Sequence, residues 1–453
     1  MSLVSINPAT GLRVASYRKD TAADIERILA RGHAAQAQWR QLSPTARAKH
    51  LRAVSRTLLV QREHLAAIVT TEMGKPIGQA RSEIEKCAKA CAYFAQHGPA
   101  LLKDERPPTA PADARIVFEP VGVVLAIMPW NFPYWQVIRA AAPVLMGGNI
   151  LVVKHAPNVT GCALALEKLF TDAGVPRGVF QLLHTGAATV PGLIADARIR
   201  AVTFTGSTST GKKVAALASA AMKPGVYELG GSDPYIVLDD ADLAAAAEIC
   251  ASSRVINCGQ TCTSAKRIIV ARPVLRAFEQ LLTARLASRQ IGDPTDPATH
   301  IGPLARPDLR ENLHRQVTAS VARGARLLLG GKPLPGPGFF YATTLLTDVR
   351  PGMPAADEEL FGPAAAIMVA RDDADAVRLA NATPYGLGAA IFTRNARRAR
   401  ALIPQLEVGF VAINQRARSD PSLPFGGIKA SGMGRELGAY GLRSFLNLKT
   451  VVG

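Results

Sequence analysis

From residue 121 to 238 short apolar runs (VVLAIM, ILVVK, VFQLL, AVTFT, YIVL) alternate with stretches of helical pattern such as TGCALALEKLFTDAG. Apolar runs this short, separated by helical connections, suit strands buried on both faces and joined by right-handed crossovers. They predict an α/β fold with a largely parallel sheet. A second series follows: KRIIV, a long helix from Val274, ARLLLGG, AAAIMVA, the helix DADAVRLANA, AAIFT and GFVAIN. Two α/β units in tandem are therefore expected, and 453 residues are enough for two or three domains. No period of about 20–50 residues marks a solenoid.

Ahead of these units, residues 21–97 read as successive helices. TAAD (21–24) has the form of a capping box, and Ser43-Pro44 supplies an N-cap followed by proline at the first helical position. Gly74 is placed to stop the helix that begins near Gln61, and SEIEKCAKACAYFAQH turns Cys87 and Cys91 towards a core. PPTAPADA (107–114) breaks the pattern before RIVFEP, a predicted strand. The Gly-rich tail ends in an alternating run, LNLKTVV, a candidate edge strand for another element or subunit.

Composition removes several classes. Six cysteines in so long a chain make no disulfide framework. No apolar stretch reaches the roughly 18 residues of a membrane helix, and MSLVSINPATG lacks the form of a secretory signal, so a cytoplasmic, membrane-free protein is expected. The net charge of +18, from 53 basic and 35 acidic residues, invites a nucleic-acid partner. The basic residues are scattered among acids, however, and RNARRAR (394–400) fits a solvated helix face, so nucleic acid is not expected. The excess charge favours anionic substrates and cofactors through steering.

Four segments carry candidate chemistry. VTFTGSTSTGKK (202–213) is a strand, a small-residue turn and a helix, where Gly206, Gly211, Ser207 and Thr208 can hold a phosphate; a plain strand-to-helix connection is the alternative. It is not a triphosphate loop, because Lys213 stands where the Mg²⁺-binding hydroxyl belongs, and it fails GxGxxG. YELGGSDPYIVL (227–238) sets Glu228 at a strand end beside two glycines, suited to general-base duty, although this segment alone better describes a surface glutamate at a turn. In PWNFPYWQVIRAAAPVLMGGNILVVKHAPN (129–158), Asn131 can donate to an oxyanion, and Lys154 emerges at the carboxyl edge of a strand, where α/β sheets bind ligands. NCGQTCTSAKR (257–267) holds Cys258 and Cys262, four apart; a disulfide, a packing pair and a nucleophile all fit, whereas zinc lacks a second ligand pair.

Taken together, NFP, the lysine-bearing strand end, FTGSTxxG, ELGG, GQTC, EELFGP (358–363) and PFGGIKxSGxGRE (424–436) resemble the NAD(P)-dependent aldehyde dehydrogenases, in order and at spacing over essentially the whole chain. The resemblance implies two tandem Rossmann-type α/β domains and a small β oligomerisation element. The expected cofactor domain is 1–106 with 121–229, the catalytic domain 230–419, and the oligomerisation element 107–120 with 420–453, in a homodimer or homotetramer. It further implies that Cys262 is the nucleophile, forming a thiohemiacetal and then a thioester, with Asn131 and the Cys262 N–H holding the oxyanion. Glu228 matches the base for deacylation, Lys154 a ribose contact, and Glu436 its partner in a proton relay. Trp130, Pro157, Gly206, Ser207, Glu359 and Phe361 match cofactor contacts, and no metal is implied. Cys258 departs from the pattern; packing, or an oxidant-triggered disulfide with Cys262, would account for it.

The surrounding sequence looks most like bacterial succinate-semialdehyde dehydrogenases. Arg139, eight residues after Asn131, matches an arginine that holds the distal carboxylate, and Ser419 matches a second contact. Some members carry another arginine six residues before the cysteine, where this chain has Ile256, so glutarate semialdehyde or a broader aldehyde range is the alternative. Pro157 stands where NAD-preferring relatives often have glutamate; with His155 and the basic charge it points to NADP, with NAD also used. An esterase-like hydrolase would need no dinucleotide, a CoA-acylating enzyme would not need Glu228, and a basic nucleic-acid-binding protein would need none of this set.

Overall fold

The computed structural model describes residues 2–453. Four helices follow an N-terminal hairpin (Ser2–Ile6 with Arg13–Arg18): α1 (Ala22–Trp39), α2 (Pro44–Val60), α3 (Arg62–Met73) and α4 (Ile77–Leu101). Thr21 and Asp24 close the capping box on α1, Ser43 caps α2 ahead of Pro44, and Gly74 ends α3 in the left-handed conformation. Cys87 and Cys91 are buried along α4. The hairpin has no counterpart in the sequence reading; its short strands, with most side chains partly exposed, carry little apolar signal.

The first large sheet runs, in spatial order, Gly432–Met433, Gly225–Glu228, Ile199–Thr205, Val123–Ile127, Ile150–Lys154, Phe180–Leu183. All pairs are parallel except the outermost, where Gly432 faces Glu228. Helices α5 (Trp135–Met146), α6 (Thr160–Asp172), α7 (Val190–Ala195) and α8 (Thr208–Ala220) connect the parallel strands. The order reverses between Val123–Ile127 and Ile199–Thr205, so the crevice beyond those two strand ends is the topological switch point. The NFP segment leaves one of these strands and the FTGST turn leaves the other.

The second sheet has seven strands in the order Arg326–Leu329, Thr344–Thr347, Ala364–Ala370, Arg267–Ala271, Pro234–Val237, Gly388–Phe392, Phe410–Ile413, parallel apart from the first pair. Thr344–Thr347 was not marked by the sequence pattern. RNARRAR forms the helix Ala396–Leu402, where Arg398 pairs with Asp239, Asp240 and Asp373. The tail divides its contacts: Gly432–Met433 joins the first sheet, while Leu446–Val451 pairs antiparallel with Arg115–Pro120 as a two-stranded ribbon. Among the described residues no helix is long and apolar enough to cross a membrane.

Candidate active site

Cys262 sits just ahead of the strand Arg267–Ala271, in a loop with unusual backbone geometry. Asn257, Cys258 and Gly259 are successively left-handed, at φ 54°, 56° and 75°. Two such non-glycine residues cost roughly 1–2 kcal/mol each, so the surroundings must hold them. The Asn257 N–H donates to Gln79 Oε1 (2.6 Å), and its amide donates to the Asn131 carbonyl (2.6 Å) and the Gln260 carbonyl (3.1 Å). Gln260 Oε1 in turn accepts from the Ala305 N–H at 2.9 Å. Gly259 is required for a second reason: a Cβ there would lie 2.1 Å from the Gly362 carbonyl oxygen. The GQTC and EELFGP segments thus meet backbone to backbone.

Asn131 is buried beside this loop, and its Nδ2 donates to the Gln260 carbonyl at 3.1 Å, which leaves a second amide N–H uncommitted. Cys262 is half-buried, and burial pushes its thiol up to about 11, against the pull of Lys266 and Arg139. Lys266 is fully buried and clamps the loop: its ammonium donates to the Cys262 carbonyl (2.9 Å) and to Glu359 Oε1 (2.5 Å). Cys258 faces elsewhere, its Sγ accepting from the Gly302 N–H at 3.2 Å, while Cys262 opens on a cavity. That placement favours packing over a disulfide.

Glu228 ends the strand Gly225–Glu228 and is 3 % exposed. The PFGG turn makes room for it: Gly426, at φ 154°, would place a Cβ 2.6 Å from Glu228 Oε1. Glu436 is delivered beside it by paired main-chain bonds between Phe425 and Glu436. Arg139, 2 % exposed, forms an ion pair with Glu436 and donates to Thr205 Oγ1 at 3.2 Å. The ion-pair contact lacks hydrogen-bond geometry, so Arg139 Nε and Glu436 Oε2 remain without hydrogen-bond partners. Burial raises both carboxyls, Glu228 well above the ordinary range; one guanidinium cannot ionise both, and Glu436 holds it.

Most of the expected cofactor residues follow strand ends of the first sheet, while Glu359 and Phe361 precede the strand Ala364–Ala370 of the second. Lys154 is 8 % exposed with its ammonium disfavoured by burial, and no acidic partner lies within ion-pairing distance among the described residues. No ion pair joins it to Glu436, whose charge partner is Arg139. Ser207 caps α8, accepting from the Thr210 N–H, with Gly206 immediately before it. Thr208 instead donates to the Ala430 carbonyl at 3.0 Å. Trp130 and Phe361 meet edge to face at 5.8 Å, and Glu359 also accepts from the Gly231 N–H. Pro157 is exposed just beyond Lys154. His155 does not join them: its Nδ1 accepts from the Ala156 N–H, its Nε2 donates to the Pro133 carbonyl, and burial lowers it to about 4. It is neutral and turned inward, so it offers no charge to a phosphate. An uncompensated lysine and a capped helix start at one sheet edge fit a dinucleotide.

A cavity of about 380 Å³ reaches from Cys262 between α4, α5 and the loop 416–419. Arg139 and Ser419 line it, as do Gln79, Lys86, Trp135 and Arg416, which the motifs had not marked. On α4 the polar residues at positions 79, 82, 83 and 86 are spaced three and four apart and share one face, but Arg81, Glu85 and Lys89 are polar too, so the sequence alone does not single that face out.

Residues 2–451 match the sequence model of the aldehyde dehydrogenase family. The chain is 46% identical to the succinate semialdehyde dehydrogenase [NAD(P)+] of Escherichia coli, covering 99% of this chain and 97% of that one. It is 44% identical to a succinate-semialdehyde dehydrogenase [NADP(+)] of Mycobacterium tuberculosis, over 100% of this chain and 99% of the relative. A crystal structure of succinic semialdehyde dehydrogenase from Streptococcus pyogenes, in complex with NADP+, superposes with a TM-score of 0.97 at 34% identity, covering 99% of both chains. With a family match over residues 2–451 and identity of 46% over nearly the full length of both chains, the chain belongs to the aldehyde dehydrogenase family.

Proposed function

We propose that the protein oxidises succinic semialdehyde, or a similar ω-carboxy aldehyde, to the corresponding acid with NADP or NAD. The observation that carries this is the cavity at Cys262, whose wall holds four cationic side chains (Lys86, Arg139, Arg416, Arg418) against one acid, Glu83. That acid is already committed, to Lys75 and to the N–H groups of Tyr134 and Trp135 at 2.9 Å each. Two of the relatives above carry succinate semialdehyde in their names.

In this reading the Cys262 thiolate adds to the aldehyde carbon, forming a C–S bond while the carbonyl electrons move to oxygen. The free amide N–H of Asn131 and the Cys262 N–H hold that oxyanion. Lys154, Gly206, Ser207, Trp130, Pro157, Glu359 and Phe361 hold the dinucleotide, which when bound supplies the acceptor for the hydride leaving that carbon. Glu228 then takes a proton from water as the water oxygen attacks the thioester, and the C–S bond breaks to release the acid and the thiolate. Glu228 acts only once deprotonated; the charges of Arg139 and Arg435 pull towards that state against the effect of burial. With Pro157 exposed and no carboxylate there to repel a 2′-phosphate, NADP is accepted and NAD is not excluded.

The protein works as a homodimer or homotetramer, supported by the ribbon of Arg115–Pro120 and Leu446–Val451. A two-stranded ribbon is marginal alone, and Leu448 and Val452 are 58% and 65% exposed on or beside it. Steady-state kinetics with succinic semialdehyde, glutaric semialdehyde and butanal, each against NAD and NADP, test the reading. The highest kcat/KM is expected for a carboxylated aldehyde with NADP. A preference for butanal would remove it.

A further inference from the structure

The arginine expected to hold the distal carboxylate is already occupied. Arg139 is paired with Glu436, donates to Thr205, and its guanidinium lies 5.0 Å from the centre of the Phe425 ring. A substrate carboxylate would have to compete with a buried carboxylate for that charge. The second arginine carried by some relatives is absent, with Ile256 on the cavity wall in its place. The cavity nevertheless holds cations with no carboxylate partner. Lys86, on α4, donates to Ser419 Oγ at 2.7 Å and lies 4.0 Å from the centre of the Trp135 ring. Its charged neighbours Arg139 and Arg416 are both positive; only the Cys87 and Cys262 thiols pull the other way, and no carboxylate among the described residues pairs with it. Arg416 is half-buried and likewise has no acidic partner.

We propose that Lys86 is the principal anchor for the ω-carboxylate, presented by Ser419 and seconded by Arg416, and that Arg139 serves chiefly as counter-charge to the Glu436 and Glu228 pair. This rests on the ω-carboxy aldehyde reading and assigns its receptor. Three observations support it. Lys86 Nζ is tied to the serine that sequence likeness had marked as a carboxylate contact, so both can reach one bound oxygen pair. The Trp135 face and Ser419 hydroxyl use only part of the ammonium's donor capacity, since neither is an anion. Burial and the two arginines also depress Lys86 to about 7, so an arriving carboxylate would strengthen its charged form. A lysine kept partly desolvated among like charges is costly unless an anion completes it. Lys86 thus provides from α4 the second cation that position 256 lacks.

The test is the ratio of kcat/KM for succinic semialdehyde to that for butanal, in wild type, Lys86→Met, Lys86→Arg and Arg139→Met. Loss of a charge-assisted hydrogen bond predicts a fall in this ratio of roughly 10- to 100-fold for Lys86→Met, expressed in KM, with substantial rescue by Lys86→Arg. Arg139→Met should lower kcat for both aldehydes and move the ratio far less. Independently of turnover, saturating succinate should slow acetylation of Lys86 in the wild-type protein, read by peptide mass spectrometry, while succinamide should not. A wild-type preference that survives Lys86→Met, or unprotected Lys86, overturns the assignment alone. A wild-type ratio near one removes the ω-carboxylate reading and this assignment with it.

Discussion

At the scale of single residues, burial sets the chemistry. Desolvation holds the Glu228 carboxyl well above the ordinary carboxylate range, so its basic form grows as pH rises. Deacylation should therefore accelerate with pH, as should alkylation of Cys262, whose thiol lies near 11 before substrate and cofactor bind. Single-turnover acyl release and iodoacetamide inactivation, each followed against pH, check the two slopes; a flat profile would contradict them. Arg139 is the ion-pair partner of the buried Glu436, so Arg139→Met should cost about 3–5 kcal/mol in denaturant unfolding by stranding that carboxylate. Pairing it with Glu436→Leu should recover most of that loss. The sequence made Cys262, Glu228 and Asn131 legible through their motifs. It could not show that Arg139 is engaged by Glu436, because that pairing joins residues 297 positions apart in the chain (436 minus 139).

Among the elements, the nucleophile loop and α4 matter most. The run of left-handed residues at 257–259 is held by Gln79 from α4 and by Asn131 beyond the first sheet. Gly259→Ala would combine a clash at 2.1 Å with an unfavourable φ. It should reduce kcat by at least about tenfold while far-ultraviolet circular dichroism stays native-like. Activity near wild type would show that the loop tolerates another path. Strand and helix alternation was readable because buried parallel strands are apolar on both faces; Val123–Ile127 and Ile150–Lys154 are wholly buried. The hairpin at Ser2–Ile6 and Arg13–Arg18 is largely exposed and gave no such pattern. The contribution of α4 to the cavity was hidden for a different reason. Its core-facing cysteines dominate the periodicity, and which polar stripe faces a cleft depends on what packs beside it.

Across the whole molecule, the carboxyl edge of one sheet faces the segment leading into a strand of the other. Lys154 and Glu228 come from strand ends, while Cys262 precedes its strand. This apposition could not be read from either strand series alone. The net charge of +18 should draw anionic aldehydes inward, so kcat/KM for succinic semialdehyde should fall severalfold between low and high ionic strength, and that for butanal should not. Removal of residues 446–453 should shift the mass by light scattering from oligomer to monomer if the terminal ribbon joins subunits. The most direct measurement is mass spectrometry of the Glu228→Gln protein mixed with succinic semialdehyde and NADP. An acyl group of succinyl mass should accumulate on the peptide carrying Cys262, after a single burst of reduced nicotinamide. Continued turnover with Cys262 unmodified would contradict the account.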